Sequence, residues 1–376
     1  MFMSKIKVCI LQNGLARGGT DTFVVNLCRG IDKERFELTI VNPATSEHCL
    51  VREPEIIAEG WEIVRTSPLN GLWSKLKHFW KLFWILKKGK FDVFHTNVDL
   101  FNGPQLFIAW LAGVPMRICH SHNTNQQKAL VQGNTMSVRI YQGLMRWMCW
   151  TFSNRRIGCS EMAMDFLFKG KDWKQNLYPI VINNGIDISL YRKKIDVEGK
   201  KQELGITAKY NITAVGKIAP QKNPIFIAKS FVELCKLRDD CDLVWVGDGN
   251  LRTECEEIFM QNGVQNRVHF FGQRSDVNEI LQCCNLFFMP SSFEGLGIVI
   301  IEAQAAGLPC LVSTEVPQEA NCGGCFYKSL NDSKADWASA MSDLLDKKIE
   351  LKVKETDMQK FSINYMVEQM QQVFKS

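Results

Sequence analysis

Short apolar runs alternate with longer segments of helical period from residue 6 onward. In the first half the runs are Ile6–Leu11, Phe36–Val41, Trp61–Val64, Asp92–His95, Arg117–His120, Arg156–Cys159 and Ile180–Asn183, each closed by polar or glycine punctuation. The second half restarts the rhythm with Ile212–Val215, Leu243–Val246, Val268–Phe271, Leu286–Met289 and Cys310–Val312. Strands that alternate with helices predict parallel sheets covered by helices on both faces. The charged stretch Ile188–Lys209 lacks a strong apolar period and reads as a linker between the halves. No repeat of fixed period and no low-complexity tract interrupts the pattern, so the expected architecture is α/β, two doubly wound units facing one another. In such sheets ligands bind beyond the carboxyl ends of the strands, and this decides which motifs matter.

A chain of 376 residues suits two domains of similar size. Hydrophobic residues at 46% and charged residues at 23% place it in the globular range. The fourteen cysteines are scattered, and Met1 to Lys7 leads directly into a strand-like run, which together read as a cytoplasmic protein. Cys322-Gly-Gly-Cys325 has redox or zinc spacing but no second pair beside it, so an ordinary loop is expected there. No stretch of 18 apolar residues predicts a membrane-spanning helix. Charge is unevenly divided: residues 1–190 carry 23 Lys+Arg against 15 Asp+Glu, and residues 191–376 carry 22 against 25. Between Arg117 and Arg156 there is no acidic residue, which points to an anionic partner for the first half.

The first strand runs into Gln12-Asn13-Gly14-Leu15-Ala16-Arg17-Gly18-Gly19-Thr20-Asp21, and an amphipathic helix pattern follows. Adjacent glycines let the backbone approach a ligand, and a helix start presents free N–H groups to an anion. The motif reads as a phosphate or acceptor site, with a plain turn as the alternative; its spacing is not that of the dinucleotide fingerprint. After the first strand of the second half, Gly216-Lys217-Ile218-Ala219-Pro220-Gln221-Lys222-Asn223 repeats the arrangement. Lys217 and Lys222 are both placed to reach a diphosphate, with solvated surface lysines as the alternative.

The strongest signal is Glu294-Gly295-Leu296-Gly297 followed by Ile298-Val299-Ile300-Ile301-Glu302 and Ala303-Gln304-Ala305-Ala306-Gly307. Glu302 interrupts an apolar helix, where a carboxylate is expensive unless it meets hydrogen-bond donors. Sugar hydroxyls are such donors; a structural glutamate is the alternative. A helix through the whole segment, at ~1.5 Å rise per residue, sets the two glutamates roughly 12 Å apart, close to the span from a ribose across a diphosphate to a hexose. His120-Ser121-His122-Asn123 closes the fifth strand and puts two histidines on one strand face. One functional histidine with the other satisfied in the core is expected, and a metal pair is the alternative. His95 ends the preceding strand and is a further candidate at the ligand edge. Asp240-Cys241-Asp242 has the spacing of a metal–diphosphate chelator but precedes its strand, at the wrong edge of the sheet, so no metal site is expected.

On a helical wheel of Leu72–Lys88, Leu72, Leu76, Phe79, Phe83 and Leu86 make one apolar stripe. Lys77, Lys81 and Lys88 gather away from it, with Trp73, Trp80 and Trp84 at the border. This suits an anionic membrane surface, with a sheet-covering helix and snorkelling lysines as the alternative.

On these residues the chain resembles the family-four retaining glycosyltransferases over nearly its whole length. The matching positions are the turn at Gly18-Gly19, His122, Asn184-Gly185-Ile186-Asp187, Lys217 with Lys222, Gly247-Asp248-Gly249, and Glu294 with Glu302. The resemblance implies a GT-B fold of two Rossmann-like domains facing across a cleft: 1–187 binding the acceptor, 188–355 binding the donor, and 356–376 crossing back to the first. It implies that Lys217 and Lys222 hold a diphosphate, that Glu302 holds the ribose, and that Glu294 with Gly295, Leu296 and Gly297 holds the donor sugar. Gly19 and Gly216 would close on the donor, and His122 would lie near the reacting carbon. Arg17, Gly18 and His95 are left for the acceptor. The stretch Arg117–Thr124 is similar to enzymes that build bacterial capsules and exopolysaccharides, which implies a polyprenyl-diphosphate-linked saccharide as acceptor and a peripheral position on the inner face of the plasma membrane. Lys217 stands where the family usually has arginine, offering a point charge rather than a fork. Thr20 stands where an acidic or small residue is usual.

The expected reaction moves a hexose or N-acetylhexosamine from a nucleotide diphosphate sugar, a UDP-sugar first among them, with retention and without a metal. The nucleotide sugar is a substrate, so no cofactor is expected, and no nucleic acid partner. A nicotinamide-dependent oxidoreductase requires a fingerprint that neither half supplies. A non-catalytic nucleotide-sugar binding module would keep Glu302 and the lysines but be indifferent to His122.

Overall fold

The computed structural model describes residues 5–16, 18–123, 135–173, 180–347, 351 and 353–376. The chain divides into two units, Met1–Ile186 with Lys360–Ser376, and Asp187–Gln359. Unit 1 contains β1 (Ile6–Leu11), β2 (Phe36–Asn42), β3 (Glu62–Arg65), β4 (Val93–Thr96), β5 (Met116–Ser121) and β6 (Arg155–Gly158). All pair in parallel in the order β3-β2-β1-β4-β5-β6. Its helices are α1 (Gly19–Gly30), α2 (Glu53–Ala58), α3 (Leu72–Gly89), α4 (Asn102–Ala112), α5 (Met136–Phe152) and α6 (Glu161–Leu167).

Unit 2 opens with α7 (Ile188–Arg192) and α8 (Val197–Leu204). Its strands are β7 (Tyr210–Val215), β8 (Cys241–Val246), β9 (Val268–Gly272), β10 (Leu286–Met289), β11 (Cys310–Ser313) and β12 (Cys325–Lys328), in the order β12-β11-β10-β7-β8-β9. Around them lie α9 (Pro224–Leu237), α10 (Arg252–Gln261), α11 (Val277–Gln282), α12 (Ile298–Ala305), α13 (Lys334–Asp346) and α14 (Glu355–Gln359). The last helix, α15 (Ile363–Lys375), packs against α1 in unit 1.

Each sheet reverses its strand order once, between β1 and β4 and between β7 and β10. The central strands are buried on both faces, which is why they read as continuous apolar runs rather than alternating ones. In unit 1 one core layer joins β1 and β2 to α1 and α15 through Phe23, Leu27, Ile40, Met366, Met370 and Phe374. The other joins the sheet to α3, α4 and α5 through Leu82, Leu86, Leu106, Met145 and Cys149.

Three expectations are corrected. Ile180–Asn183 is no strand: Val181 makes an isolated bridge to Gly158, and two backbone hydrogen bonds precede the Asn-Asn-Gly turn that ends the pairing. A twelfth strand, Cys325–Lys328, follows a Gly-Gly turn in a four-residue run too short to stand out by period. The segment Ile188–Lys209 is no open linker. Asp187 and Asp196 cap its two helices, and Lys200 pairs with Glu203, Asp276 and Glu279. The charges that hid its structure in the sequence hold it to the rest of unit 2.

The wheel of α3 is also rotated from expectation. The buried line is His78, Leu82 and Leu86, while Leu72 and Leu76 face outward with Trp73, Trp80 and Trp84. His78 is accepted into the core because Thr66 and Gln105 hydrogen-bond its two ring nitrogens. Among the described residues no helix is long and apolar enough to cross a membrane.

Candidate active site

In unit 2 the loops after β7 and β10, the two strands of the reversal, meet. Gly216 ends β7 at φ +138°, where a side chain is strained, and the loop after β8 presses onto it: a Cβ on Gly247 would stand 2.0 Å from the Gly216 carbonyl oxygen. A Cβ on Gly249 would stand 2.2 Å from the Ile218 oxygen. Backbone hydrogen bonds from Gly216 to Val246, from Ile218 to Asp248 and from Leu251 to Ile218 lock these loops together. Lys217 projects from this knot, exposed, with no ion pair among the described residues.

Lys222 lies over Gly216 and donates to Glu294 Oε1 at 2.7 Å, with the Glu294 side chain 6% exposed. The Glu294 loop is held to the Lys222 turn by Ser292 N donating to the Gln221 oxygen and Gln221 Nε2 donating to the Phe293 oxygen. The resemblance sets Lys222 on the diphosphate and Glu294 on the sugar; the fold brings the two side chains into contact. An ammonium has three donors, so this pairing leaves Lys222 able to meet a phosphate as well.

The helix that carries Glu302 begins only at Ile298, after Gly297 at φ +83°. Glu294 therefore sits in the loop, and the spacing expected for one continuous helix does not apply. Gly295, Leu296 and Gly297 form the turn between the glutamates, with Leu296 buried. Glu302 is hydrogen-bonded by Tyr191 of α7; burial pushes its carboxyl up, against the opposing effects of Tyr191 and of the Lys222 charge. Tyr191 was missed because it falls in the segment read as a linker, 111 positions before its partner in the chain. Asp240 is engaged by Arg238 and Asp242 by His269, both at the start of β8.

In unit 1 the glycine turn lies between β1 and α1. Asp21 accepts from the Gly18 amide and from Gln12 Nε2, and Asn184 Nδ2 donates to the Gly19 oxygen. Arg17 lies outside the described residues. His95, His120 and His122 are stacked in the adjacent strand ends, with Phe23 edge-on to all three rings. His95 Nε2 is 3.1 Å from His120 Nδ1. His95 is fully buried and stands against His120 from within the core.

His122 is the outermost of the three, at 6% exposure. Asn97 Nδ2 donates to the Leu11 oxygen, which turns the amide oxygen toward His122 Nε2 at 2.9 Å. That fixes the proton on Nε2 and leaves Nδ1 as an acceptor. Asp99, at φ +48°, accepts the backbone N–H of His122. Burial drives the rings of His95 and His122 down to about 3 and His120 lower than its ordinary value as well, so all three are neutral at pH 7.

Two family models match in succession: Glycosyltransferase Family 4 over residues 17–190 and Glycosyl transferases group 1 over residues 196–352. The chain belongs to the family-four glycosyltransferases. A protein of Bacillus subtilis (strain 168) named as the glycosyltransferase EpsF is 29% identical over 91% of this chain and 88% of its own. An Escherichia coli UDP-Gal:alpha-D-GlcNAc-diphosphoundecaprenol alpha-1,3-galactosyltransferase is 27% identical over 68% of this chain and 64% of its own. Among solved structures, Anabaena HepE in complex with UDP-glucose superposes with a TM-score of 0.81 at 16% identity, covering 98% of this chain and 99% of that one. The fold is GT-B, each unit supplying one Rossmann-like sheet. Within this family frame the Lys222–Glu294 contact and the His122 cluster both lie beyond carboxyl strand ends, where a doubly wound sheet binds its ligands.

The imidazole cluster ties stability to pH. In the folded chain the three rings stay neutral well below 6.5, whereas in the unfolded chain each takes up a proton near 6.5. Protons are therefore bound preferentially by the unfolded state, and stability falls as pH drops from about 6.5 toward 3, by up to about 1.4 kcal/mol per pH unit for each histidine. Urea titrations between pH 7.5 and 5 should show a falling midpoint. His120→Asn should make that fall shallower.

Proposed function

We propose that the chain is a retaining, metal-independent hexosyltransferase. It moves a hexose or N-acetylhexosamine from a UDP-sugar to a lipid-linked saccharide during capsule or exopolysaccharide synthesis. The observation that carries the donor half is the contact of Lys222 with Glu294 at the strand reversal of unit 2, backed by Glu302 with Tyr191 one helix turn further. Lys217 and Lys222 meet the diphosphate, with the Gly216 and Gly19 backbones close against the donor. Glu302 takes the ribose hydroxyls. Glu294 and the backbone of Gly295 to Gly297 take the sugar.

As the glycosidic bond breaks, negative charge grows on the leaving diphosphate, and the two ammonium groups offset it, Lys222 from a position already fixed by Glu294. His122, neutral and held by Asn97 through Nε2, lies near the reacting carbon. A ring pushed down to about 3 is a weak base, so the acceptor's proton passes instead to a phosphate oxygen on the face the leaving group vacates. Attack from that face retains configuration. Metal independence is supported by the engagement of Asp240 and Asp242 with Arg238 and His269. The lipid-linked acceptor is supported by the name of the Escherichia coli relative. The outward tryptophans and lysines of α3 support a position on the anionic inner face of the plasma membrane.

Turnover of a panel of UDP- and GDP-sugars in the presence of chelator, with NMR of the product anomer, tests this reading. Undiminished transfer and a retained anomer are expected. Activity that returns only with manganese or magnesium, or an inverted product, rejects it.

The glutamates should divide the work. A ribose contact is equal in ground and transition states, so Glu302→Gln should mainly raise the donor KM. A contact with the reacting sugar tightens as charge develops, so Glu294→Gln should lower kcat by about 10–100-fold, or about 1.4–2.7 kcal/mol. Steady-state kinetics on variants with unchanged melting decide it; the reverse pattern turns the donor round.

Binding to anionic vesicles should weaken with added salt and with Lys77→Glu plus Lys81→Glu. Sedimentation of vesicles with protein measures it, and binding unchanged by both returns α3 to a purely structural role.

A further inference from the structure

Beyond the ends of β1 and β4, within unit 1, lies a cavity of about 440 Å³. Its floor is polar: Gln12, Asn13, Gly18, Asp21, Asn97 and Asp99 all line it. The two carboxylates are already oriented, Asp21 by the Gly18 amide and Gln12, Asp99 by the His122 amide and Asn123. Fixed acceptors and amides beside an aromatic wall of Phe101 and Tyr141 match the mixed polar and apolar faces of a sugar ring.

Lys75 is the exception in this lining. It comes from the first turns of α3, and its ammonium stands over the Phe101 ring, 5.5 Å from the centroid. It makes no ion pair among the described residues. A cation at the rim of this cavity, unpaired among the described residues while Asp21 and Asp99 are held by other donors, is placed for a phosphate group.

The helices that carry Lys75 and Tyr141 to the cavity have exposed apolar rows on their outer sides. On α5, Met136, Ile140, Leu144 and Trp147 recur at one-turn spacing and are all exposed, from 50% to 71%. On α3, Leu72 is 70% exposed and stands one turn before Lys75; on α5, Leu144 stands one turn after Tyr141. Helix α4 packs against both. None of α3, α4 and α5 contains an aspartate or glutamate, while α3 alone has five lysines. An apolar surface with cations and no carboxylates complements a hydrocarbon chain bearing an anionic head.

With the acceptor placed in this cavity of unit 1, as the family resemblance implies, we propose that Lys75 reads the acceptor's diphosphate. The saccharide sits on the polar floor against Tyr141, the diphosphate lies at Lys75, and the lipid chain leaves over the exposed rows of α3 and α5. The assignment rests on the reading of the acceptor as lipid-linked. Lys75 is thereby a specificity-determining residue: it separates a lipid diphosphate from the same sugar on a neutral carrier.

The test uses the full chain and two acceptors with one terminal sugar, a polyprenyl diphosphate and an alkyl glycoside without phosphate. The wild type should prefer the first. Lys75→Gln should raise the KM for the diphosphate acceptor about 10-fold and that for the alkyl glycoside less than about 2-fold, while Lys75→Arg keeps most of the preference. Equal losses with both acceptors at unchanged melting temperature, or a preference that Lys75→Gln does not move, overturns the role of Lys75. A wild type that uses the alkyl glycoside as well as the diphosphate overturns the lipid-linked reading itself, before any variant is made.

Discussion

Burial of both faces of a parallel sheet is the constraint from which the rest of this structure follows. Apolar side chains must point both ways from the central strands, so helices cover both faces and the polar chemistry is expelled to the strand ends. In each unit the strand order reverses once, and there two neighbouring loops diverge to opposite faces. The glycine turn after β1 with Asn97 after β4, and Lys222 after β7 with Glu294 after β10, are the contents of those two openings. Residues separated by some seventy to eighty positions thus become neighbours without any helix or strand carrying both.

Close backbone approach holds the unit 2 opening. Gly247 and Gly249 leave no room for a Cβ against Gly216 and Ile218, so the loops after β7 and β8 act as one piece. The lysine turn is stiffened by that contact, and the Glu294 loop is bonded to it by main-chain and amide hydrogen bonds. A charged pair that is largely desolvated costs free energy to assemble unless its geometry is fixed in advance. The glycines fix it.

Unit 1 shows a second use of burial. Three imidazoles are kept neutral by burial, with Phe23 edge-on to every ring, and among the described residues only the outermost is held by a side chain of the cavity lining, Asn97. The helices α3 and α5 add a different surface, apolar outward as well as inward. The inward row serves the core; the outward row stays exposed among the described residues.

Strand runs, the glycine turns, the paired glutamates and the family itself were legible in the sequence, because a strand buried on both faces must be a continuous apolar run and a close backbone approach must be glycine. Period alone did not settle α3. Its wheel has apolar residues over most of its circumference, and only Thr66 and Gln105, arriving from elsewhere, make His78 an acceptable core residue and turn Leu72 and Leu76 outward. Likewise the charges of Ile188–Lys209 read as solvated until α11 supplied Asp276 and Glu279 as partners for Lys200. The pairing of Lys222 with Glu294, the hydrogen bond from Tyr191 to Glu302, and the burial of His95 beneath His120 were decided by tertiary structure. Local pattern reports which face a residue prefers, but a contact between groups far apart in the chain exists only once strand order has placed their loops side by side.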